Sequence, residues 1–129
     1  MRKGPAGFTL IELLIVVVII GLLAGIALPK LGSTKDRAMT ATLKSDLRNL
    51  ATAQEAYWND QATYYGGSIP GVILTYQPSP TVTVTVTEAT TSGWGATATS
   101  SASPGICALF FGAVAPPAPA VLEGKIACQ

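Results

Sequence analysis

An almost unbroken apolar run near the N-terminus is the feature that most restricts how this chain can fold. Residues 8–28 read FTLIELLIVVVIIGLLAGIAL, in which Thr9 and Glu12 are the exceptions. The run reaches the roughly 20 residues that a helix needs to cross the hydrocarbon core of a bilayer. A carboxylate costs roughly 3 kcal/mol at the middle of such a helix and less near its end, so it usually has a partner. Because the run contains no Lys or Arg, the partner of Glu12 must come from outside it.

The residues before the apolar run differ from an ordinary secretory signal. Arg2 and Lys3 form a short positive region, and the small residue Gly7 precedes the run, whereas small residues follow it in a cleaved secretory signal. Cleavage after Gly7 would remove the charges and keep the whole apolar helix. The leading charges favour a cytoplasmic N-terminus, although three cations also follow the run: Lys30, Lys35 and Arg37. The two cysteines, near the other end of the chain, favour an exported C-terminal part.

The stretch from Gly7 to Leu31 reads GFTLIELLIVVVIIGLLAGIALPKL. It closely resembles the class III leader junction and N-terminal helix of type IV pilins and of the related type II secretion pseudopilins. The resemblance implies that residues 1–7 are a leader, removed between Gly7 and Phe8 by a membrane-embedded aspartyl prepilin peptidase that also N-methylates the new amine of Phe8. It further implies a bacterial inner-membrane pool of subunits, an inner-membrane assembly platform as partner, and a homopolymeric helical filament outside the cell.

Two interpretations of Glu12 remain open. In the first, its carboxylate pairs with the Phe8 amine of a neighbouring subunit, because opposite charges attract strongly in a medium of low dielectric. Buried ionic groups are best attested in fixing register, and a head-to-tail contact that repeats without closing generates a helical filament. In the second, Glu12 caps the N-terminus of its own helix, where the helix dipole favours a negative charge.

Small residues and a proline mark the end of the apolar run. Gly21 and Gly25 have the GxxxG spacing that permits close helix approach. Pro29 cannot donate to the carbonyl of Gly25, which favours a bend or a loosened helix. By the resemblance, residues 21–29 are where the helix becomes extended within a filament. A simple lipid-facing helix with incidental small residues is the alternative.

Apolar residues continue beyond Pro29, mostly at spacings of three and four, and predict an amphipathic helix over residues 30–58. We therefore expect one helix from Phe8 to Trp58, with a membrane-spanning first half and a second half that lies on a sheet. Ser33 and Thr34 would cap a restart if the helix breaks at Gly32. The predicted apolar stripe contains Leu31, Met39, Leu43, Leu47, Leu50, Gln54, Tyr57 and Trp58. The charged residues largely off this stripe predict a solvated or subunit-facing side; they are Lys35, Asp36, Arg37, Lys44, Asp46, Arg48 and Glu55.

Residues 59–129 predict a loop followed by a small sheet. Gly and Pro indicate a loop over 59–71, and the strand candidates are 72–76, 81–87, 93–99 and 107–114, with a turn over 100–105. Residues 81–87 read TVTVTVT, an alternation that predicts valines facing the helix and threonines facing outward. Three or four antiparallel strands against one helix form an α+β layer, which by the resemblance is the pilin fold.

Two cysteines in a chain with an export-type N-terminus predict one disulfide, Cys107–Cys128, and a pair of buried free thiols is the alternative. The bond would tie the tail that contains Pro116, Pro117 and Pro119 to the last strand. Closing this loop would stabilise the fold by roughly 3 kcal/mol in the chain-entropy model. By the resemblance, the region that the disulfide bounds would be surface-exposed and variable.

The chain lacks the residues that most catalytic sites need. It has no His to act as a general base or metal ligand, and its Ser and Thr residues have no evident activating partner. Glu88 and Glu123 are the only carboxylates after Asp60, which disfavours a calcium cage in the distal half. A net charge of +1 provides no basic footprint for nucleic acid. We expect no enzymatic activity, no cofactor, no metal and no direct nucleic-acid partner.

The function that these features predict is structural. We expect the major-pilin-like subunit of a type IV pilus, and the resemblance associates such filaments with adhesion, twitching motility or DNA uptake. One alternative is a type II secretion pseudopilin. Another, of a different class, is a singly anchored periplasmic binding module that never polymerises.

Overall fold

The computed structural model of the chain describes residues 7–129 and divides it after Thr34 into two compact units. We call the part up to Thr34 the N-terminal unit and Lys35–Gln129 the head unit. The predicted leader lies outside the described residues except for Gly7. A single 52-residue helix, α1, runs from Leu10 to Gln61 and contributes to both units.

Helix α1 has no break at Gly32, so Ser33 and Thr34 do not cap a restart. Both hydroxyls donate to the carbonyl of Lys30, at 3.1 and 3.0 Å, from inside the continuous helix. Ser and Thr side chains make this bond to the preceding turn when they lie within a helix. At the other end, Ala62 has a φ of 54° and donates to the carbonyl of Trp58 at 2.8 Å, and α1 ends there.

The head unit contains one antiparallel sheet in the order β1-β2-β3-β4. The α+β prediction, with one long helix on a four-stranded antiparallel sheet, is confirmed. In β1, Val82 and Val84 are buried, Val86 is half-buried, and Thr83 and Thr85 are exposed, as the alternation predicts. The strands are β1 (Val82–Ala89), β2 (Gly93–Ser100), β3 (Ser103–Gly112) and β4 (Ala127–Cys128).

The predicted strand over residues 72–76 is wrong, since this segment is irregular. Tyr76 donates from its backbone to the carbonyl of Leu74 at 2.8 Å, which is a tight local turn. Pro78 and Pro80 follow and supply no N–H for a sheet. The side chains of Leu74 and Tyr76 are nevertheless buried, so the segment contributes to the core without pairing.

Strand β3 is longer than predicted, and β4 was not predicted. The turn expected over residues 100–105 is shorter in the structure, because β3 already begins at Ser103, which pairs with Ser100. It ends at Gly112 rather than at Val114. The two residues of β4 pair with Cys107 and Ala108 of β3.

The core of the head unit lies between α1 and one face of the sheet. Leu43, Leu47 and Leu50 project from α1 and are at most 1% exposed. They join a cluster with Trp94 and Leu109 of the sheet. The opposite face of β3 carries a second, smaller cluster, in which the C-terminal segment contributes Ala120 beside Ala108 and Phe110. The tail therefore covers part of the outer face of the sheet.

Candidate functional site

Glu12 lies in the first turn of α1 and is bonded to Thr9, the residue that precedes the helix. The Thr9 backbone N–H donates to Oε2 of Glu12 at 2.8 Å, and the Thr9 hydroxyl donates to the same oxygen at 2.7 Å. The backbone N–H of Glu12 donates in return to Oγ1 of Thr9 at 3.3 Å. This reciprocal arrangement is a capping box. In the single chain, Glu12 thus caps its own helix, which is the second of the two interpretations of this residue.

The capping box leaves Glu12 accessible to a further donor. The side chain is exposed, and its described hydrogen bonds all end on Oε2. A carboxylate has two oxygens and about four acceptor positions. An amine from another molecule can therefore approach the carboxylate without first breaking the bonds to Thr9, so the two interpretations of Glu12 do not exclude one another.

The apolar side chains of the N-terminal unit are exposed on every side of the helix. Phe8 is 91% exposed, and even Ile19, in the middle of the run, is 51% exposed. Helix α1 is long and apolar enough to cross a membrane by length and composition. Water is an unfavourable environment for so large a contiguous apolar surface. The single chain contains nothing that covers it within the described residues.

Gly21 and Gly25 border open space. A Cβ built on either glycine meets no atom within 4 Å, and α1 continues as a helix through residues 21–29. The chain by itself therefore places nothing against these glycines. Close approach to a neighbour and loosening of the helix before Pro29 both remain predictions about an assembled state.

The predicted disulfide joins Cys107 of β3 to Cys128 of β4, and this prediction is confirmed. The segment that it closes has further attachments to the sheet. Gly124 donates to the carbonyl of Phe110 at 2.9 Å, and Glu123 accepts from the N–H of Gly112 at 2.6 Å. The chain that follows the proline-rich stretch is thus attached to β3 by two hydrogen bonds and the disulfide.

Comparisons with known proteins show which families the sequence is similar to. A family model described as "Prokaryotic N-terminal methylation motif" matches residues 2–28. The chain is 40% identical over 63 residues to the type II secretion system core protein G of Pseudomonas aeruginosa, covering 49% of this chain and 44% of that protein. It is 45% identical over 58 residues to the type IV major pilin protein PilA of Myxococcus xanthus, covering 45% and 26%. Over nearly half of its length, the chain is therefore similar to a type II secretion pseudopilin and to a type IV pilin.

A third relative of this pilin-like chain is the type IV wide pilus major component PilA4 of Thermus thermophilus. It is 33% identical over 78 residues, which are 60% of this chain and 60% of the relative. The pilin-like chain spans less than two thirds of the length of all three relatives.

Two buried polar side chains fix the loop between α1 and β1 of the pilin-like chain. Asp46 is 2% exposed, so its predicted place on a solvated or subunit-facing side is wrong. Its carboxylate accepts from the N–H of Ser79 at 3.2 Å and from the Ser79 hydroxyl at 3.1 Å. The signal was present in the sequence, because Asp46 is three residues after Leu43 and four before Leu50, on the buried side of a helix.

Gln54 is the second of these side chains and is fully buried. Its Nε2 donates to the carbonyl of Tyr65 at 2.8 Å, and the N–H of Tyr65 donates to its Oε1 at 2.7 Å. A glutamine within an apolar helical stripe indicates a specific buried partner, because an unpaired buried amide is costly. The sequence thus suggested the burial of Gln54 but not the identity of its partner.

Two tyrosines of the head unit have perturbed acidity. Burial, followed by the nearby charge of Asp46, raises the pKa of Tyr76. Its hydroxyl makes no hydrogen bond to any residue that the structure describes. The pKa of Tyr64 is also raised, by burial and by the hydrogen bond that its hydroxyl donates to Glu55. Across residues 7–129, no group of three or more His, Cys, Asp or Glu side chains is placed to hold a metal ion.

Proposed function

We propose that this chain is the major-pilin-like structural subunit of a type IV pilus filament, stored in the bacterial inner membrane and assembled through its N-terminal helix. The observation that carries the proposal is the exposed apolar surface around α1, interrupted by one carboxylate in the first turn. Such a surface needs lipid or other helices around it. A subunit pool in the membrane and a bundle of helices in a filament core provide these two environments.

Maturation supplies the partner that Glu12 lacks. Cleavage between Gly7 and Phe8 by a prepilin peptidase converts the Phe8 nitrogen into an amine, which the same enzyme class methylates. This cation stands at the exposed start of the helix, four residues before Glu12. Pairing it with Glu12 of a neighbouring subunit neutralises both charges inside an apolar core and fixes the axial register of the two helices. Since the donor and the acceptor are different groups, the contact is heterologous and continues into a helical filament.

The capping box assists this assembly. In the membrane-stored subunit, Thr9 stabilises the Glu12 carboxylate and keeps it at the helix start. The Glu12 carboxylate is therefore hydrogen-bonded before a neighbouring subunit arrives. It lies in the first helical turn, where the amine of that neighbour would bind. An inner-membrane assembly platform would bring the subunits together and extract them from the bilayer.

The test is Glu12→Ala in cells that carry pilus machinery, compared with Glu55→Ala, which removes an exposed carboxylate farther along α1. Membrane fractionation measures insertion, mass spectrometry of the mature N-terminus measures cleavage, and electron microscopy counts filaments. We expect Glu12→Ala to insert and lose its leader while filaments disappear, and Glu55→Ala to assemble. Abundant normal filaments of Glu12→Ala would reject the register mechanism. A mature start other than Phe8 would reject the maturation step.

A second candidate function is that of a type II secretion pseudopilin. It is favoured by the 40% identity over 63 residues to a type II secretion core protein. Both candidates polymerise through the same N-terminal helix, so the variants of Glu12 do not separate them. Electron microscopy of the cell surface does, because long external fibres built from this chain support the pilus, and their absence beside short periplasmic fibres supports the pseudopilus.

A further inference from the structure

A basic groove of about 340 Å³ lies in the head unit between α1 and the end of the disulfide-closed segment. Lys44 and Arg48 line it from the helix, and Lys125 lines it from the segment before β4. Its apolar lining consists of Ala51, Leu109, Phe111 and Ile126, together with Gly124. No carboxylate is among the described residues that line it. Three cationic side chains beside an apolar floor attract an anionic group. The floor excludes water there, so this attraction is screened less than in open solvent.

Most carboxylates of the head unit already accept a hydrogen bond within it. Residues 35–129 contain six Asp and Glu residues. Five of them accept a hydrogen bond from another part of the head unit, namely Asp36, Asp46, Glu55, Glu88 and Glu123. Asp60 is the sixth; it is exposed at the C-terminal end of α1 and accepts no side-chain or backbone hydrogen bond from the residues described. The chain thus carries a cationic groove and an available acid.

Within one chain, Asp60 lies far from the two cations that α1 contributes to the groove. Asp60 is 12 positions beyond Arg48 on the same helix, which separates them by roughly 18 Å along the axis and turns Asp60 about 120° around it. Lys44 is farther still, at roughly 24 Å. The groove and Asp60 therefore belong to different patches of the surface, and a contact that joins them between two copies is heterologous.

We infer that this groove receives the carboxylate of Asp60 from a second copy of the chain, forming an ionic contact between neighbouring head units. The inference rests on the proposed function, because it requires many copies in one filament. This ionic contact between head units would determine which neighbour binds. The N-terminal helices would bury the apolar surface of the assembly. The apolar floor makes this ion pair stronger than one in open solvent, and complementary charges select the correct neighbour.

The test begins with charge reversal in the full chain, assembled in cells. Arg48→Glu is expected to lower the amount of assembled filament roughly fivefold, the effect of losing one partly exposed ion pair. Adding Asp60→Arg to this variant is expected to restore it. Lys35→Glu makes the same charge change on an exposed residue outside the groove and is expected to leave assembly unchanged. Normal assembly of Arg48→Glu, or failure of Asp60→Arg to rescue it, would overturn the inference.

A second measurement identifies the contact directly. A zero-length carbodiimide joins a lysine amine to a carboxylate with loss of water. In purified filaments we expect a Lys44–Asp60 or Lys125–Asp60 linkage by mass spectrometry, and a ladder of multimers that Asp60→Asn abolishes. Filaments in which Asp60 joins neither lysine would contradict the inference and leave the proposed function standing. If the unmodified chain formed no filament at all, the proposed function would fail and the inference with it.

Discussion

Gln54 and Tyr65 are joined by a two-point contact inside the head unit. The side-chain amide of Gln54 donates to the Tyr65 carbonyl at 2.8 Å and accepts from the Tyr65 N–H at 2.7 Å. It thereby satisfies both backbone groups of a loop residue in the manner of a paired strand. The ring of Tyr65 also lies against the ring of Tyr57, which belongs to α1 like Gln54, and the two ring centroids are 5.4 Å apart. The start of the loop after α1 is thus held at Tyr65 by a buried amide and an aromatic contact.

Replacing Gln54 should therefore destabilise the head unit well beyond an average helix substitution. Gln54→Ala leaves the N–H and the carbonyl of Tyr65 without partners and opens a cavity, which together cost about 2–3 kcal/mol of unfolding free energy. Denaturant unfolding of the full chain in detergent micelles measures this change. The emission of Trp94, which is fully buried, reports on the head unit.

Gln61 supplies the control, since it is an exposed glutamine of the same helix. Gln61→Ala should change the unfolding free energy by no more than about 0.5 kcal/mol. Equal destabilisation by Gln54→Ala and Gln61→Ala would show that the contact with Tyr65 contributes nothing specific.

Removing the disulfide should weaken the C-terminal segment first. The Cys107→Ala/Cys128→Ala variant is expected to lose roughly 3 kcal/mol of unfolding free energy, because the open loop regains conformational freedom in the unfolded chain. Strand β4 has only two residues, so without the bond the exposed Lys125 beside it should become accessible to trypsin. Limited proteolysis followed by mass spectrometry measures the rate of that cleavage.

The reduced wild-type chain is the matched comparison for this variant. Reductant should bring its stability and its cleavage rate at Lys125 to those of the double variant, and should leave the double variant unchanged. A wild-type chain that resists trypsin equally well before and after reduction would mean that the hydrogen bonds of Glu123 and Gly124 fix the segment unaided.

The sequence predicted the elements that depend on local periodicity. The apolar run, the stripe through Leu43, Leu47 and Leu50, and the Val/Thr alternation of β1 each express burial through a repeating pattern, so the helix and the clearest strand were correct. The cysteine pair was predicted from composition and compartment alone, and the structure forms the bond.

The errors concern features that long-range contacts determine. Residues 72–76 have the composition of a strand, yet the structure leaves them irregular and unpaired, and only Leu74 and Tyr76 of this segment are buried in the core. Asp46 is grouped by the sequence with the charges largely off the apolar stripe, on a solvated or subunit-facing side, whereas it is buried and its partner Ser79 is 33 residues away in sequence. Strand β4 is too short to show any alternation. Partners of this kind follow from the folded arrangement and leave little trace in a local pattern.

Tyr76 should make the head unit sensitive to alkali, because its pKa is raised by burial and by the charge of Asp46. Tyrosine in the unfolded chain ionises near pH 10, so above this pH the folded chain retains a proton that the unfolded chain has lost, and stability falls as pH rises. Tyr76→Phe should be neutral or up to about 1 kcal/mol more stable at pH 7, since the hydroxyl is buried without a partner. Denaturant unfolding between about pH 9 and pH 11 should show a shallower loss for this variant than for wild type. Tyr64→Phe, which removes a mostly exposed hydroxyl, should reduce the slope less, and parallel curves for wild type and Tyr76→Phe would show that Tyr76 ionises equally in both states.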